Sequence, residues 1–201
     1  MQAWQYSAVR EARSSLQEQA EFYSNVWHAL FSALFLAAGV MTALAKIEIR
    51  ILADEAYFSA WQTVPVLCAA MLFCAFTSFL GSVYTVTRKS GISFWTSLLG
   101  AGVNVLLNAL LFPSKLGILG AAIATFASYF IVFLVRAANA RRPIPFRLFK
   151  AALFTDSAVL AVQILFLSFQ WPGWKVIQGI AIAALLFLNQ APLRKLLKKG
   201  R

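Results

Sequence analysis

Charged side chains are absent from six long intervals of this chain: residues 22–45, 56–87, 90–114, 116–135, 157–174 and 176–193. Each interval holds one continuous apolar stretch, close to the roughly 20 residues that an α-helix needs to cross a bilayer. The pattern predicts six helices, over about 25–45, 62–86, 92–112, 116–136, 149–169 and 174–191. The sixth is the most diluted, by Gln178, Asn189 and Gln190. Membrane-barrel strands do not fit, because they alternate over about ten residues and these runs do not. The expected fold class is therefore all-α: a polytopic membrane helix bundle of about six transmembrane helices. The chain divides into a polar leader or connector (1–24), a four-helix block (25–136), a basic loop (137–150), a terminal hairpin (151–191) and a basic tail (192–201).

Composition agrees. Of 201 residues 61% are apolar and 12% charged, a balance that a soluble globule of this size could not bury but a bilayer can dissolve. Trp27, Trp61, Trp95, Trp171 and Trp174 fall at predicted helix ends or in short loops, where indoles favour the membrane interface, and only Trp4 lies apart. The leader, the loops after helices two and four (Arg136 counted in the latter) and the tail carry fourteen Lys and Arg residues. The opposite side carries four: Lys46, Arg50, Lys115 and Lys175. By the positive-inside rule both termini are expected in the cytoplasm. The net charge of +11 then reflects topology and contact with anionic membrane lipid, with no nucleic-acid partner expected.

Little supports enzyme chemistry. Cys68 and Cys74 lie six apart in one apolar run, about 120° around a helix, and read as small buried hydrophobes rather than a disulfide or metal pair. The seven acidic residues are Glu11, Glu18, Glu21, Glu48, Asp54, Glu55 and Asp156, and only the last stands in a span. With one histidine, no phosphate-binding loop and no paired carboxylates, the expectation is no enzyme, no metal and no cofactor. The first 22 residues lack the apolar core of a secretory signal. Trp4, Ala8, Ala12 and Leu16 make a weak helical stripe there, suited to a surface helix or a connector.

Polar residues within spans are costly and invite explanation. Asp156, Gln163 and Gln170 recur every seven residues. Asn104 and Asn108 stand four apart on helix three, and His28, Ser32, Gly39 and Thr42 trace a stripe on helix one. Asn104, Asn108, Asp156, Gln163 and His28 are the substrate-path candidates. The readings weighed are interhelical packing against a substrate pathway for the asparagines, pairing with Arg147 or Lys150 against a proton or ion role for Asp156, and an interfacial position against a pH-sensitive relay for His28. Helix four carries two rows of small residues, Gly117–Ala121–Thr125 and Gly120–Ala124–Ser128, either of which lets another helix approach closely. Pro65 could start helix two or kink it, and is the hinge candidate.

From Tyr57 to Arg136 the chain resembles a known family. Tyr57, Ala60, Trp61, Pro65 and Leu67 in AYFSAWQTVPVL, then Lys89 and Ser90, VNVLLNALLFP (Val103 to Pro113) and LGILGAAIATFASY (Leu116 to Tyr129) are similar to the C-terminal domain of bacterial polysaccharide biosynthesis proteins. These are the O-antigen and lipid-linked oligosaccharide flippases of the multidrug/oligosaccharidyl-lipid/polysaccharide exporter superfamily. The leader, helix one and the last hairpin agree more loosely.

The resemblance implies two six-helix lobes around a central cavity, often followed by two further helices. Helices one to four would be the last four of the C-terminal lobe, and helices five and six the added pair. The N-terminal lobe and two further helices would be missing partners, as in a fragment or split gene product. The implied activity is movement of an undecaprenyl-diphosphate-linked glycan across the bacterial inner (plasma) membrane by alternating access, through a complete transporter. Family cavities are basic, and the predicted spans place no Lys or Arg at mid-depth, so the cationic grip is expected from the missing helices and the chain alone is expected to be inactive. The alternative is a structural membrane subunit or scaffold of a polysaccharide-assembly complex.

Overall fold

The computed structural model describes residues 15–192. Among these residues the α-helices that run up and down are α1 (Leu16–Leu52), α2 (Val64–Val86), α3 (Ser90–Leu111), α4 (Gly117–Asn139), α5 (Lys150–Ser168) and α6 (Trp174–Leu188). A short 3-10 helix, Glu55–Gln62, joins the first two. No strand occurs among the described residues. Five helices are long and apolar enough to cross a membrane, and α6 is shorter at 15 residues. The ends expected to face the cytoplasm are called inner below. The leader stripe Trp4, Ala8 and Ala12 and the tail from residue 193 lie outside the described residues.

The largest departure from the predicted segmentation is α1, which has 37 residues where about 21 are expected. Its start is set by a capping box. Glu18 N–H donates to Ser15 Oγ at 3.3 Å and Ser15 N–H donates to the Glu18 carboxylate at 2.8 Å, satisfying two end donors. Residues 16–24 therefore belong to α1 rather than to a separate leader. At the outer end the helix runs through Lys46 and Arg50, which the sequence reading places in a loop. Lys46 Nζ lies 4.3 Å from the Trp61 ring and 4.4 Å from the Trp174 ring, so the helix extension is tied by cation–π contact to the 3-10 helix and to α6.

The helices form two groups of three. α2, α3 and α4 pack together, and α1, α5 and α6 pack together, with α1 against α2 joining the groups. The joint is aromatic. Trp27, Phe31 and Phe35 of α1 meet Phe76 and Phe79 of α2 and Phe133 of α4. Trp27 is therefore a fully buried core residue rather than an interface anchor, and its Nε1–H donates to Leu148 O at 3.0 Å. Trp95 and Trp171, by contrast, are exposed.

The loop between α4 and α5 is basic as expected, but it is also packed. Ile144, Phe146 and Leu148 are buried, Pro145 and Arg147 between them are exposed, and of the two residues just before them Arg142 is exposed and Pro143 half-buried. This period of two lets an extended segment press its apolar side under α1 and α2 and leave its arginines in water. Pro65 occupies the first turn of α2, where its missing N–H costs nothing. It starts the helix, and the hinge assignment is corrected accordingly.

Candidate functional site

A cleft of about 550 Å³ opens between α2, α3 and α4. Its wall is almost entirely small or polar: Thr77 and Ser78 from α2, Ser97 and Asn104 from α3, Thr125 and Ser128 from α4. Small hydroxyl-bearing residues can line such a space within a bilayer because most of these hydroxyls bond back to their own helix. Thr77 Oγ1 and Ser78 Oγ donate to Cys74 O, and Thr125 Oγ1 donates to Ala121 O. Both cysteines are unpaired in a disulfide sense, and Cys74 also lines the cleft.

At the inner end of the cleft lies Arg136, only 6% exposed. It is the third residue before the end of α4, and helix side chains lean toward the N-terminus, which here means into the membrane. Its Nε donates to Thr96 Oγ1 at 2.9 Å, Nη1 to Thr77 O at 2.7 Å, and Nη2 to Ser93 O at 3.1 Å and Ser97 Oγ at 2.8 Å. Thr77 stands nine residues from the inner end of α2, so the guanidinium reaches about 13 Å past that end at 1.5 Å per residue. Arg136 therefore belongs to the span, not to the loop cations, and the expectation that the spans hold no such charge is corrected. No Asp or Glu among the described residues reaches it.

The sequence candidates separate. Asn104 lines the cleft, and its Nδ2 reaches toward Ser128 Oγ of α4 at 3.5 Å, a long contact. Asn108 is turned back on its own helix, donating to Asn104 O at 3.0 Å and Oδ1 at 3.1 Å. It does not line the cleft.

Asp156 and Gln163 lie elsewhere, in the closed seam between α1, α5 and α6. Asp156 is 1% exposed and pairs with neither Arg147 nor Lys150, both of which are exposed. That expected pairing is corrected: Asp156 Oδ2 instead accepts from Asn189 Nδ2 at 3.0 Å. Gln163 Nε2 donates to Gly39 O at 2.7 Å, and Gln178 Nε2 donates to Gln163 O at 3.1 Å. Gln170, grouped with them by spacing, is exposed beyond the end of α5. His28 is half-buried, more than three turns into α1 and beside the start of α5, with its ring stacked on Phe149, centroids 4.2 Å apart.

Of the two small-residue rows on α4, Gly120–Ala124–Ser128 is the packed one. All three are buried, and a Cβ on Gly120 would stand 2.6 Å from Leu111 O. Ala121 and Thr125 are only half-buried. Gly117 has nothing within 4 Å of a built Cβ and a φ of +49°, so it serves the turn into α4 rather than a helix contact. The close-packing role of the first row is corrected in favour of the second.

Sequence reasoning missed Arg136 because a cation at the last predicted residue of a span reads as a loop residue. The signal that could have found it is the backward lean of helical side chains, together with Thr96, Ser97 and Ser93 on the facing helix.

Comparison with known proteins is sparse. No family model matches the chain. The chain is 33% identical over 95 residues to an uncharacterized membrane protein of Methanocaldococcus jannaschii, a match that covers 47% of this chain and 18% of that protein. No solved structure matches. Together with its five long apolar helices, the chain is a multi-pass, all-helical membrane protein.

Proposed function

We propose that this chain is part of a flippase that carries a polyprenyl-diphosphate-linked glycan across a bacterial inner membrane, with the α2–α3–α4 cleft as one section of its polar wall. The observation that carries the reading is Arg136, a buried guanidinium with no carboxylate partner among the described residues, at the end of a hydroxyl-lined cleft. A cation held at that depth is expensive unless it serves a partner or a path. A diphosphate crossing hydrocarbon needs positive charge and hydrogen-bonding walls. Four of the five guanidinium N–H groups are already engaged, so Arg136 acts on an anion through its charge rather than as an open fork.

The resemblance in Val103–Pro113 and Leu116–Tyr129 supports the same reading, since those segments build α3 and α4, two walls of the cleft. Alternating access needs two opposed halves, and this reading assigns the remaining walls to helices beyond these six. The partners are then the remaining transporter helices, membrane lipid and the lipid-linked glycan.

The test is reconstitution of the chain in liposomes with a labelled lipid-linked oligosaccharide, with a photo-crosslinking residue at Ser97 or, as a lipid-facing control, at Phe187. Capture at Ser97 well above Phe187, lost in Arg136→Gln, is expected, with no translocation above empty liposomes. Equal capture at the two positions overturns the cleft as substrate wall. Translocation by the chain alone overturns the assignment to part of a larger exporter.

A further inference from the structure

Three of the four cations on the outer side, Lys46, Arg50 and Lys175, gather where the end of α1, the 3-10 helix and the start of α6 meet. Outer cations are the ones the positive-inside rule disfavours, so their clustering calls for a cause. Aromatic faces, not carboxylates, fix all three. Besides Lys46, which rests on the Trp61 and Trp174 rings, Lys175 Nζ lies 5.8 Å from the centroid of the same Trp174 ring, and the two ammoniums are close enough to repel. Arg50, one turn beyond Lys46, has its guanidinium carbon 5.5 Å from the Phe58 ring. A small apolar core seats these rings: Ala45, Trp61 and Leu167 are buried in it, with Phe58 and Trp174 packed against them.

A ring face attracts a cation without neutralising it. Among the described residues none of the three donates a hydrogen bond to an oxygen or pairs with a carboxylate, in contrast to Arg136. The nearby acids are placed otherwise. Glu48 is two residues from both Lys46 and Arg50, and so about 200° around α1 from each. Asp54 accepts from Ala56 N–H at 3.1 Å at the start of the 3-10 helix, and Glu55 beside it is exposed. The rim thus presents three fixed positive charges whose N–H donors are unspent.

We infer that this rim binds the phosphate of an acidic phospholipid headgroup in the outer leaflet, through Lys46, Lys175 and Arg50. Depth selects a lipid. Lys46 directly follows one charge-free interval and Lys175 separates two others, so both stand at the edge of the hydrocarbon, where headgroup phosphates lie. Ile47 and Val176 beside them are exposed and offer apolar surface to the acyl chains of the same lipid. Charge selects an acidic headgroup, because phosphatidylcholine would bring its own ammonium among three cations and phosphatidylglycerol would not. The inference uses neither the cleft nor Arg136, so it stands or falls apart from the export reading.

The experiment reconstitutes the purified full chain in bilayers of equal phosphatidylglycerol and phosphatidylcholine. A photo-crosslinking residue stands at Val176 or, as a control away from the rim, at the exposed Val105 of α3, and the headgroups of the lipid adducts are identified by mass spectrometry. The ratio of phosphatidylglycerol to phosphatidylcholine adducts at Val176 should exceed that at Val105 roughly fivefold, the factor that one basic residue contributes at a charged membrane surface. The excess should be lost when Lys46→Gln is combined with Lys175→Gln, and kept in Lys175→Arg. Equal ratios at the two positions, or an excess unchanged in the double variant, overturn the inference. Should the double variant fail to fold, Lys175→Gln decides, since it alters an exposed side chain: the excess falls by half or more, and an unchanged excess overturns the inference. A last arm compares inorganic phosphate with sodium chloride at equal ionic strength. The excess should be the same in both, and its loss in phosphate alone would make this a site for the free ion and overturn the lipid assignment.

Discussion

The two three-helix groups treat polarity in opposite ways. The α2–α3–α4 group is open and holds a cation, Arg136, whose hydrogen bonds reach both neighbouring helices. The α1–α5–α6 group is closed and holds an anion, Asp156, with one oxygen bonded and the other not. The two charges sit in different groups, separated by the aromatic joint of Trp27, Phe76 and Phe133. Polar satisfaction and accessibility are thus separable in this membrane protein. Arg136 shows that a polar group beside a cleft can spend four of its five donors on holding helices together, while sealed groups in the seam keep unused acceptor capacity.

That contrast can be broken most directly at Arg136. Replacement by Ala removes four bonds that link three helices and should cost on the order of 3 kcal/mol in reversible unfolding in mixed micelles. Arg136→Lys should recover less than half of the loss, because a single ammonium cannot reproduce the planar fork. A loss within experimental error of zero for Arg136→Ala would mean that the guanidinium does not brace this group.

The next effect separates the two small-residue rows of α4. Gly120→Leu must displace the Leu111 backbone and should cost about 2 kcal/mol. Ala121→Leu, at a half-buried position, should cost less than about 1 kcal/mol. Melting profiles that reverse this order would return the first row to the helix interface.

In the seam, Gln163→Met removes the bond to Gly39 and leaves volume nearly unchanged. The expected cost is about 1 kcal/mol, since polar contacts between membrane helices are individually modest. A cost as large as that of Arg136→Ala would erase the distinction between a brace and a reserve of acceptors.

The smallest effect is expected at the outer rim. Lys46→Met removes the ammonium held between Trp61 and Trp174 but keeps much of the apolar stem, for a loss of about 0.5–1 kcal/mol. Quenching of Trp61 and Trp174 fluorescence by an aqueous quencher should increase in this variant. Unchanged quenching would show that the indoles are held together without the lysine.

Much of the architecture was legible because charge exclusion over about 20 residues has one dominant physical cause, a bilayer core. All six helices appear where charge-free runs predict them, and the central parts of α2, α3 and α4 agree within a few residues. The length of α1 was not legible in that way. Lys46, Glu48 and Arg50 end an apolar run, yet a helix continues through them once Trp61 and Trp174 hold the lysine. The candidate site was legible only in part. Asn104 was found because an amide in a span stands out, but Arg136 was hidden because its position marks the membrane edge while its side chain reaches inward.

What the sequence determined by itself is therefore the solvent: which segments must lie in lipid, that they are helices, and roughly where each begins and ends. Hydropathy and the need to satisfy backbone hydrogen bonds within each segment act locally along the chain, so they can be read locally. Only the tertiary structure decided which polar groups meet. Asn104 and Asp156 are equally conspicuous in sequence, yet one lines a cleft and the other pairs with Asn189, 33 residues away. The rotation of each helix about its axis depends on packing with all its neighbours at once, and small rows such as those on α4 permit more than one rotation. Spacing along one helix can propose a face, but the facing helix selects it.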